Sequence, residues 1–143
     1  MSNGPTREQV VRYVEDSERI LGEVVMLNLL KFRERAESVD GGTGKDSYGR
    51  YGEVALKKIA ERGGTVVWSG TPDQVFIGDE DVNDWDMVVL VAYPNRAAFL
   101  EMVADPEYQE GHRDREGGLA RTALLAMTPG EGFAAIDEGK GIR

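Results

Sequence analysis

Two stretches of sequence decide the fold: VVMLNLLKF at residues 24–32 and MVVLVAY at residues 87–93. Each has the length of a β-strand, and successive side chains of a strand point to opposite faces of its sheet. In the first stretch this alternation places Asn28 on one face and Lys31 on the other, and both faces are otherwise apolar. Two strands that are apolar on both faces are typical of the centre of a sheet that is covered on both sides.

The chain before the first strand is predicted to be a helix. Thr6 and Gln9 have the spacing of a capping box, and apolar residues at helical spacing continue the pattern from about Pro5 to Leu21. Gly22 follows where a left-handed helix end is expected. We therefore interpret residues 1–23 as an N-terminal helical extension.

Helix signals also occur between and after the two strands. Ser47 is expected to cap a second helix that ends at Gly63-Gly64. Asn95 is expected to open a third helix, and Asp105-Pro106 is expected to open a further helical piece, because proline suits a first helical turn. The charged, glycine-rich segment from Arg33 to Asp46 is predicted to be a mobile loop.

Two more strands complete the pattern, at Thr65 to Ser69 and at Leu119 to Met127, with Val75 to Ile77 expected to return as a hairpin. The resulting order is strand, helix, strand, strand, helix, strand. This order predicts an α+β domain at residues 24–128, ferredoxin-like (βαββαβ) with a four-stranded antiparallel sheet. Residues 129–143 are interpreted as a flexible tail or a dimer arm.

The second face of this sheet needs a partner. In a ferredoxin-like domain the helices cover one face only, whereas both central strands are apolar on both faces. Soluble monomers rarely expose an apolar patch larger than a few hundred Å². A second copy that packs sheet against sheet would cover the face, so we predict a homodimer through the sheet face, in the form of a dimeric α/β barrel.

Composition limits the partners and the location. The chain has 143 residues, with 17 basic and 26 acidic side chains and a formal net charge of −9. This charge disfavours nucleic acid and anionic membrane surfaces. There is no cysteine, which excludes disulfides and thiolate catalysis. No secretion signal or membrane span of ~18 apolar residues is recognised, so we expect a soluble, cytoplasmic protein.

Two ligand-binding patterns are present only in part. The segment from Gly41 to Lys45 resembles a phosphate-binding loop, but Val39 occupies the position of its first glycine. The segment from Asp79 to Asn83 has the first ligands of a calcium loop, but Asp84 stands where that loop needs glycine. We therefore predict neither a metal nor a cofactor.

Several motifs resemble a known family. They are the strand VMLNLLKF at residues 25–32, the tyrosines at positions 48 and 51, PNRAAF at residues 94–99, DPEY at residues 105–108, and the pair at positions 112–113. Together, from about Val24 to Met127, they resemble an uncharacterised domain-of-unknown-function family of the dimeric α/β-barrel superfamily, related to antibiotic-biosynthesis-type monooxygenases. The resemblance implies the fold and the dimer but no particular reaction. It also implies a site role for Tyr108.

His112 and Arg113 are the candidate catalytic residues. His112 is the only histidine of the chain, and histidine is the side chain best suited to proton transfer near neutral pH. Arg113 beside it has the geometry to clamp a carboxylate. The alternative for both is an exposed, solvated position on a charged segment.

The candidate substrate-binding residues are Asn28, Lys31, Tyr48, Tyr51, Trp68 and Tyr108. An amide such as Asn28 on an apolar strand face needs hydrogen-bond partners, which a ligand or a neighbouring group would supply. Tyr48 and Tyr51 share one side of a helix and would offer their hydroxyls to a polar substrate, or simply belong to the core. Trp68, with Asn28 and His112, resembles the residue sets of haem-degrading and antibiotic-type monooxygenases.

These observations leave three hypotheses for the function. The first is a homodimer that binds a small organic molecule between sheet and helices. The second is a cofactor-independent monooxygenase or isomerase in which His112 or a tyrosine moves a proton. The third is a non-catalytic assembly module.

Overall fold

Helices and strands follow one another in the order of a ferredoxin-like domain with one preceding helix. The computed structural model describes residues 3–130. Its elements are α1 (Arg7–Arg19), β1 (Val24–Phe32), α2 (Gly44–Glu61), β2 (Thr65–Gly70), β3 (Met87–Tyr93), α3 (Arg96–Ala104), α4 (Pro106–Gly118) and β4 (Leu119–Met127). The predicted bounds of β1, β3 and β4 are confirmed. From residue 131 onward, the predicted tail or dimer arm lies outside the described residues.

The strands form one antiparallel sheet in the order β2-β3-β1-β4. At its centre Leu27 of β1 pairs with Leu90 of β3 on one side and with Leu125 of β4 on the other. The two strands that are apolar on both faces are thus the central pair. The prediction of an α+β ferredoxin-like fold is confirmed.

Local capping fixes where the helices begin. The Thr6–Gln9 capping box is present, as predicted. The prediction that Ser47 caps α2 is wrong, because Thr43 and Asp46 form a capping box one turn earlier. Ser47 is instead fully buried, and its hydroxyl donates a hydrogen bond of 2.7 Å to the carbonyl of Asp114.

Two loop predictions need correction. The loop after β1 ends at Thr43, and backbone hydrogen bonds from Arg33 to Gly118 and from Glu37 to Gly117 attach it to the end of α4. The predicted hairpin strand at Val75 to Ile77 is wrong. Residues 71–86 connect β2 to β3 without a strand, and the strand that returns beside β2 is β3 itself.

The core lies between one face of the sheet and the helices. From β1 and β3 it includes Val24, Met26, Val91 and Tyr93, and from the helices it includes Ala55, Ile59, Ala98, Met102 and Tyr108. This is the face that also carries Asn28, as alternation predicts. None of the helices within residues 3–130 is long and apolar enough to cross a membrane.

The opposite face of the sheet, here called the free face, is apolar and carries no helix of the described chain. Its apolar side chains include Val25, Leu27, Leu29, Trp68, Val88, Leu90, Ala123 and Leu125, and the charged pair Lys31 and Arg121 lies at one end. They are half-buried or exposed, and Leu125 is 46% exposed. An apolar surface in this position is typical of a sheet that packs against another molecule.

Candidate functional site

Four rings from two helices meet where α2 packs against α4. Tyr48 and Tyr51 come from α2, and Tyr108 and His112 come from α4, so each pair is one helical turn apart. The ring centres of Tyr51 and Tyr108 are 5.8 Å apart, and His112 lies 6.3 Å from Tyr51 and 5.7 Å from Tyr108. Tyr48 extends the group at 5.2 Å from Tyr51. We call these four residues the tyrosine–histidine cluster.

The hydroxyls of the cluster are held in a protonated state. The hydroxyl oxygens of Tyr51 and Tyr108 are 3.0 Å apart and share a hydrogen bond. Burial raises the pKa of both tyrosines, and it also raises the pKa of Tyr48. At neutral pH all three are therefore neutral groups that can donate and accept hydrogen bonds.

Arg115 supplies the positive charge of this region. Its guanidinium carbon lies 6.0 Å from the centre of the Tyr51 ring, and Nη2 donates a hydrogen bond of 3.4 Å to the hydroxyl of Thr122. The residue is only 5% exposed. Arg115 was not among the site residues that the sequence indicated. Its position three residues after His112 and seven after Tyr108, on one face of α4, was the available signal.

His112 lies at the rim of the cluster. Its side chain is partly exposed, and Nδ1 lies 3.3 Å from a carboxylate oxygen of Glu116. Burial lowers the pKa of His112, and the nearby charge of Arg115 lowers it further against the opposing effect of Glu116. The imidazole is therefore neutral at pH 7, the state in which it can accept a proton.

The helices leave part of the sheet open beside the cluster. Asn28 pairs with Leu124 across β1 and β4, so both side chains point to the helix side. Leu124 is nevertheless 43% exposed and Asn28 is half-buried. The neighbouring pair in the register is Leu30 and Thr122, which places this opening next to Arg115. We call the space between β4, β1 and the cluster the cleft.

The side-chain oxygen of Asn28 accepts no hydrogen bond from the described residues. The Nδ2 of Asn28 donates to the carbonyl of Val89 at 3.3 Å and to that of Met26 at 3.4 Å. No donor within residues 3–130 hydrogen-bonds its Oδ1. A ligand in the cleft would find an acceptor there.

Three of the predicted site residues lie elsewhere. Lys31 is at the end of β1 on the free face, where its Nζ lies 3.3 Å from Asp86 and 3.5 Å from Asp84. Trp68 is exposed on the free face and covers Gly70. Arg113 is exposed and faces away from the cluster. The structure thus brings together Tyr48, Tyr51, Tyr108 and His112.

Arg113 lines a separate open groove of about 840 Å³ between α4, the loop after β1 and Asn3. The residues of α4 that line it differ from those that face the cluster. Acidic side chains predominate among the charged residues that line it: Glu37, Asp40, Glu107, Glu110, Asp114 and Glu116, with Arg33 and Arg113. This groove is the alternative to the cleft as a binding site for a small molecule.

Comparison with known proteins gives a family but no activity. Residues 38–128 match the family model described as "Domain of unknown function (DUF1330)". A crystal structure of a protein of unknown function from Rhodopseudomonas palustris is 32% identical, with a TM-score of 0.82, and the alignment covers 92% of this chain and 98% of that one. A comparison with curated proteins gives no significant match.

More distant structures share the fold alone. A Dabb family protein with a ferredoxin-like fold from Mesorhizobium loti is 15% identical, with a TM-score of 0.52, over 76% of this chain and 97% of that one. A protein from Arabidopsis thaliana is 16% identical, also with a TM-score of 0.52, over the same shares of the two chains. The expected resemblance to an uncharacterised family is confirmed.

Proposed function

Because this chain belongs to the DUF1330 family, whose description names no activity, we propose its function from the site alone: it is a homodimer that binds a small organic molecule in the cleft. The observation that carries this proposal is the exposed Leu124 on the helix side of the sheet. An apolar residue on the helix side of a sheet normally packs against the covering helices. A ligand would cover it here.

The groups around the cleft suit a small ligand. Binding sites for small molecules are mostly apolar, with a few polar groups that fix the ligand's orientation. Leu124 supplies apolar surface, and the free Oδ1 of Asn28 and the rim imidazole of His112 supply polar contacts. The hydroxyl of Thr122 donates to the carbonyl of Leu29 and can only accept a further hydrogen bond. Tyr48 and Tyr51 are half-buried on the helix side and add aromatic groups there, whereas Tyr108 is buried in the core.

The free face supports the dimer. It carries apolar side chains from all four strands of the sheet, and exposed Phe76 and Ile77 lie in the adjacent β2–β3 connection. A second copy offers the same apolar surface, so a two-fold contact of sheet on sheet would bury both at once. The proposed dimer leaves the cleft accessible, because the cleft lies on the helix side.

A screen of small organic compounds by NMR on ¹⁵N-labelled protein tests the proposal. We expect ligands to shift the amide signals of Asn28, Tyr48, His112 and Thr122. Leu124→Trp should abolish these shifts by filling the cleft, whereas Val39→Trp in the groove should leave them unchanged. The proposal is refuted if ligands shift only signals from the groove, or if no compound binds, which would favour the assembly module.

A second candidate is an enzyme that moves a proton in an isomerisation or a cofactor-independent oxidation. The neutral state of His112, in ring contact with Tyr51 and Tyr108, favours it. His112→Ala should then abolish turnover of a compound that still binds the cleft. Turnover that survives in this variant would remove the catalytic role of His112.

A further inference from the structure

Arg115 is a buried cation whose counter-charge is missing from the described chain. An arginine stays protonated at any physiological pH, and a buried charge is costly unless it is paired. Arg115 is 5% exposed, and its hydrogen-bond partners are neutral hydroxyls, those of Thr122, Tyr48 and Tyr51. Within residues 3–130, no carboxylate forms an ion pair with it.

The other two buried cations of residues 3–130, Lys58 and Arg96, differ in how they are compensated. The Nζ of Lys58 lies within 3.3 Å of carboxylate oxygens from Glu61, Asp105 and Glu107. Arg96 is as buried as Arg115 and, like it, forms no ion pair with the described residues: it donates a hydrogen bond of 3.3 Å to the hydroxyl of Thr128 and lies 5.8 Å from the centre of the Tyr13 ring. Arg115 is likewise surrounded by neutral groups, and of the two arginines it is the one beside the cleft.

None of the groups around Arg115 carries a negative charge, so an anion at the inner end of the cleft would compensate its charge. The pKa values of Tyr48 and Tyr51 are raised, chiefly by burial, so neither phenol is ionised beside the guanidinium at neutral pH. His112 is uncharged because burial lowers its pKa, so it adds no charge beside the guanidinium. Among the described residues, the guanidinium therefore lacks the partner that its planar donor set binds best, a carboxylate.

We propose that the ligand of the cleft is a small organic carboxylate whose charged group pairs with the guanidinium of Arg115 beside the hydroxyl of Thr122. This inference rests on the proposed function and specifies its ligand class. The carboxylate would provide the missing counter-charge, and the organic part would extend over Leu124 toward Asn28. The register places Thr122 and Asn28 on the same face of neighbouring strands, roughly 7 Å apart, which is the span of a compact molecule.

Matched pairs of probes test the inference by NMR titration. Each pair is a carboxylate and its neutral carboxamide, among them benzoate with benzamide and hexanoate with hexanamide. We expect the carboxylates to bind the cleft at least ~10-fold more tightly than the amides, as a charge-assisted pair implies. Arg115→Met should remove this preference, and Arg12→Gln on the exposed face of α1, which removes the same charge, should retain it.

The outcomes separate the two proposals. If carboxamides bind the cleft as tightly as carboxylates, the inference about the ligand class is overturned and small-molecule binding stands. If neither member of any pair binds there, the binding function fails as well.

The melting temperature of Arg115→Met without ligand gives a second test. We expect it to equal or exceed that of the wild type, because an apolar residue replaces an uncompensated buried charge. A large decrease, or a variant that does not fold, would show that the guanidinium is already satisfied and would overturn the inference.

Discussion

Replacement of Leu125 with aspartate should dissociate the proposed dimer. Leu125 is 46% exposed in a single chain, so a partner that covers it removes about 80 Å² of apolar surface, worth about 2 kcal/mol at ~25 cal/mol per Å². Both chains lose this contribution in the variant, which amounts to about 4 kcal/mol or a roughly 1,000-fold weaker dimer. The buried aspartate charge would add to the loss.

Sedimentation velocity over a range of protein concentrations measures this effect. Leu56→Asp is the matched control, because Leu56 is 57% exposed on α2, away from the free face. The control should keep the wild-type dissociation constant. A Leu125→Asp protein that dimerises as tightly as the wild type, or a Leu56→Asp protein that dissociates, would refute the assignment of the free face as the interface.

Three further predictions concern the single chain. Tyr51→Phe should lower the free energy of unfolding by about 1 kcal/mol because the hydroxyl of Tyr108 loses its partner; urea titration measures this, and a double phenylalanine variant that costs twice as much would contradict the pairing. The hydrogen bond from Lys58 holds the pKa of Glu107 below its ordinary value of 4.5. Stability from this pair is therefore present above pH ~4.5 and lost as the pH falls through the lowered pKa, so Lys58→Met should flatten the acid side of the stability curve, and an unchanged curve would count against the pair. Thr43→Ala should lower the free energy of unfolding by about 1 kcal/mol through loss of the helix cap, and an unchanged urea midpoint would contradict that role.

Strand positions were predictable because their signal is local. The apolar runs of β1 and β3 are bounded by charged or turn residues, so the pattern alone fixes where they begin and end. The start of α2 was missed because two capping candidates compete. Ser47 precedes the apolar stripe, but Thr43 has Asp46 three residues later and therefore forms the reciprocal cap.

The candidate site was only partly predictable. The two α2 tyrosines are one helical turn apart, so their shared side follows from sequence spacing. The contact with Tyr108 and His112 depends on how α2 packs against α4, which spacing does not contain. The face of Trp68 was also beyond the pattern, because a register shift between Val66 and Trp68 breaks the alternation and turns Trp68 to the free face.

The sequence alone could not show that Arg115 is buried and Arg113 exposed. Both arginines lie in α4, two residues apart, and both can bind a carboxylate. Only the packed structure shows that Arg115 is enclosed beside Thr122 and that Arg113 is exposed at the groove. The missing counter-charge is a property of the three-dimensional arrangement.

Native mass spectrometry of freshly purified protein tests the central claim most directly, because it reports copy number and retained ligand together. We predict a species of twice the 15.7 kDa chain mass that releases a small organic acid upon denaturation. A bare species of single chain mass at high protein concentration, with nothing released, would contradict both the dimer and the ligand.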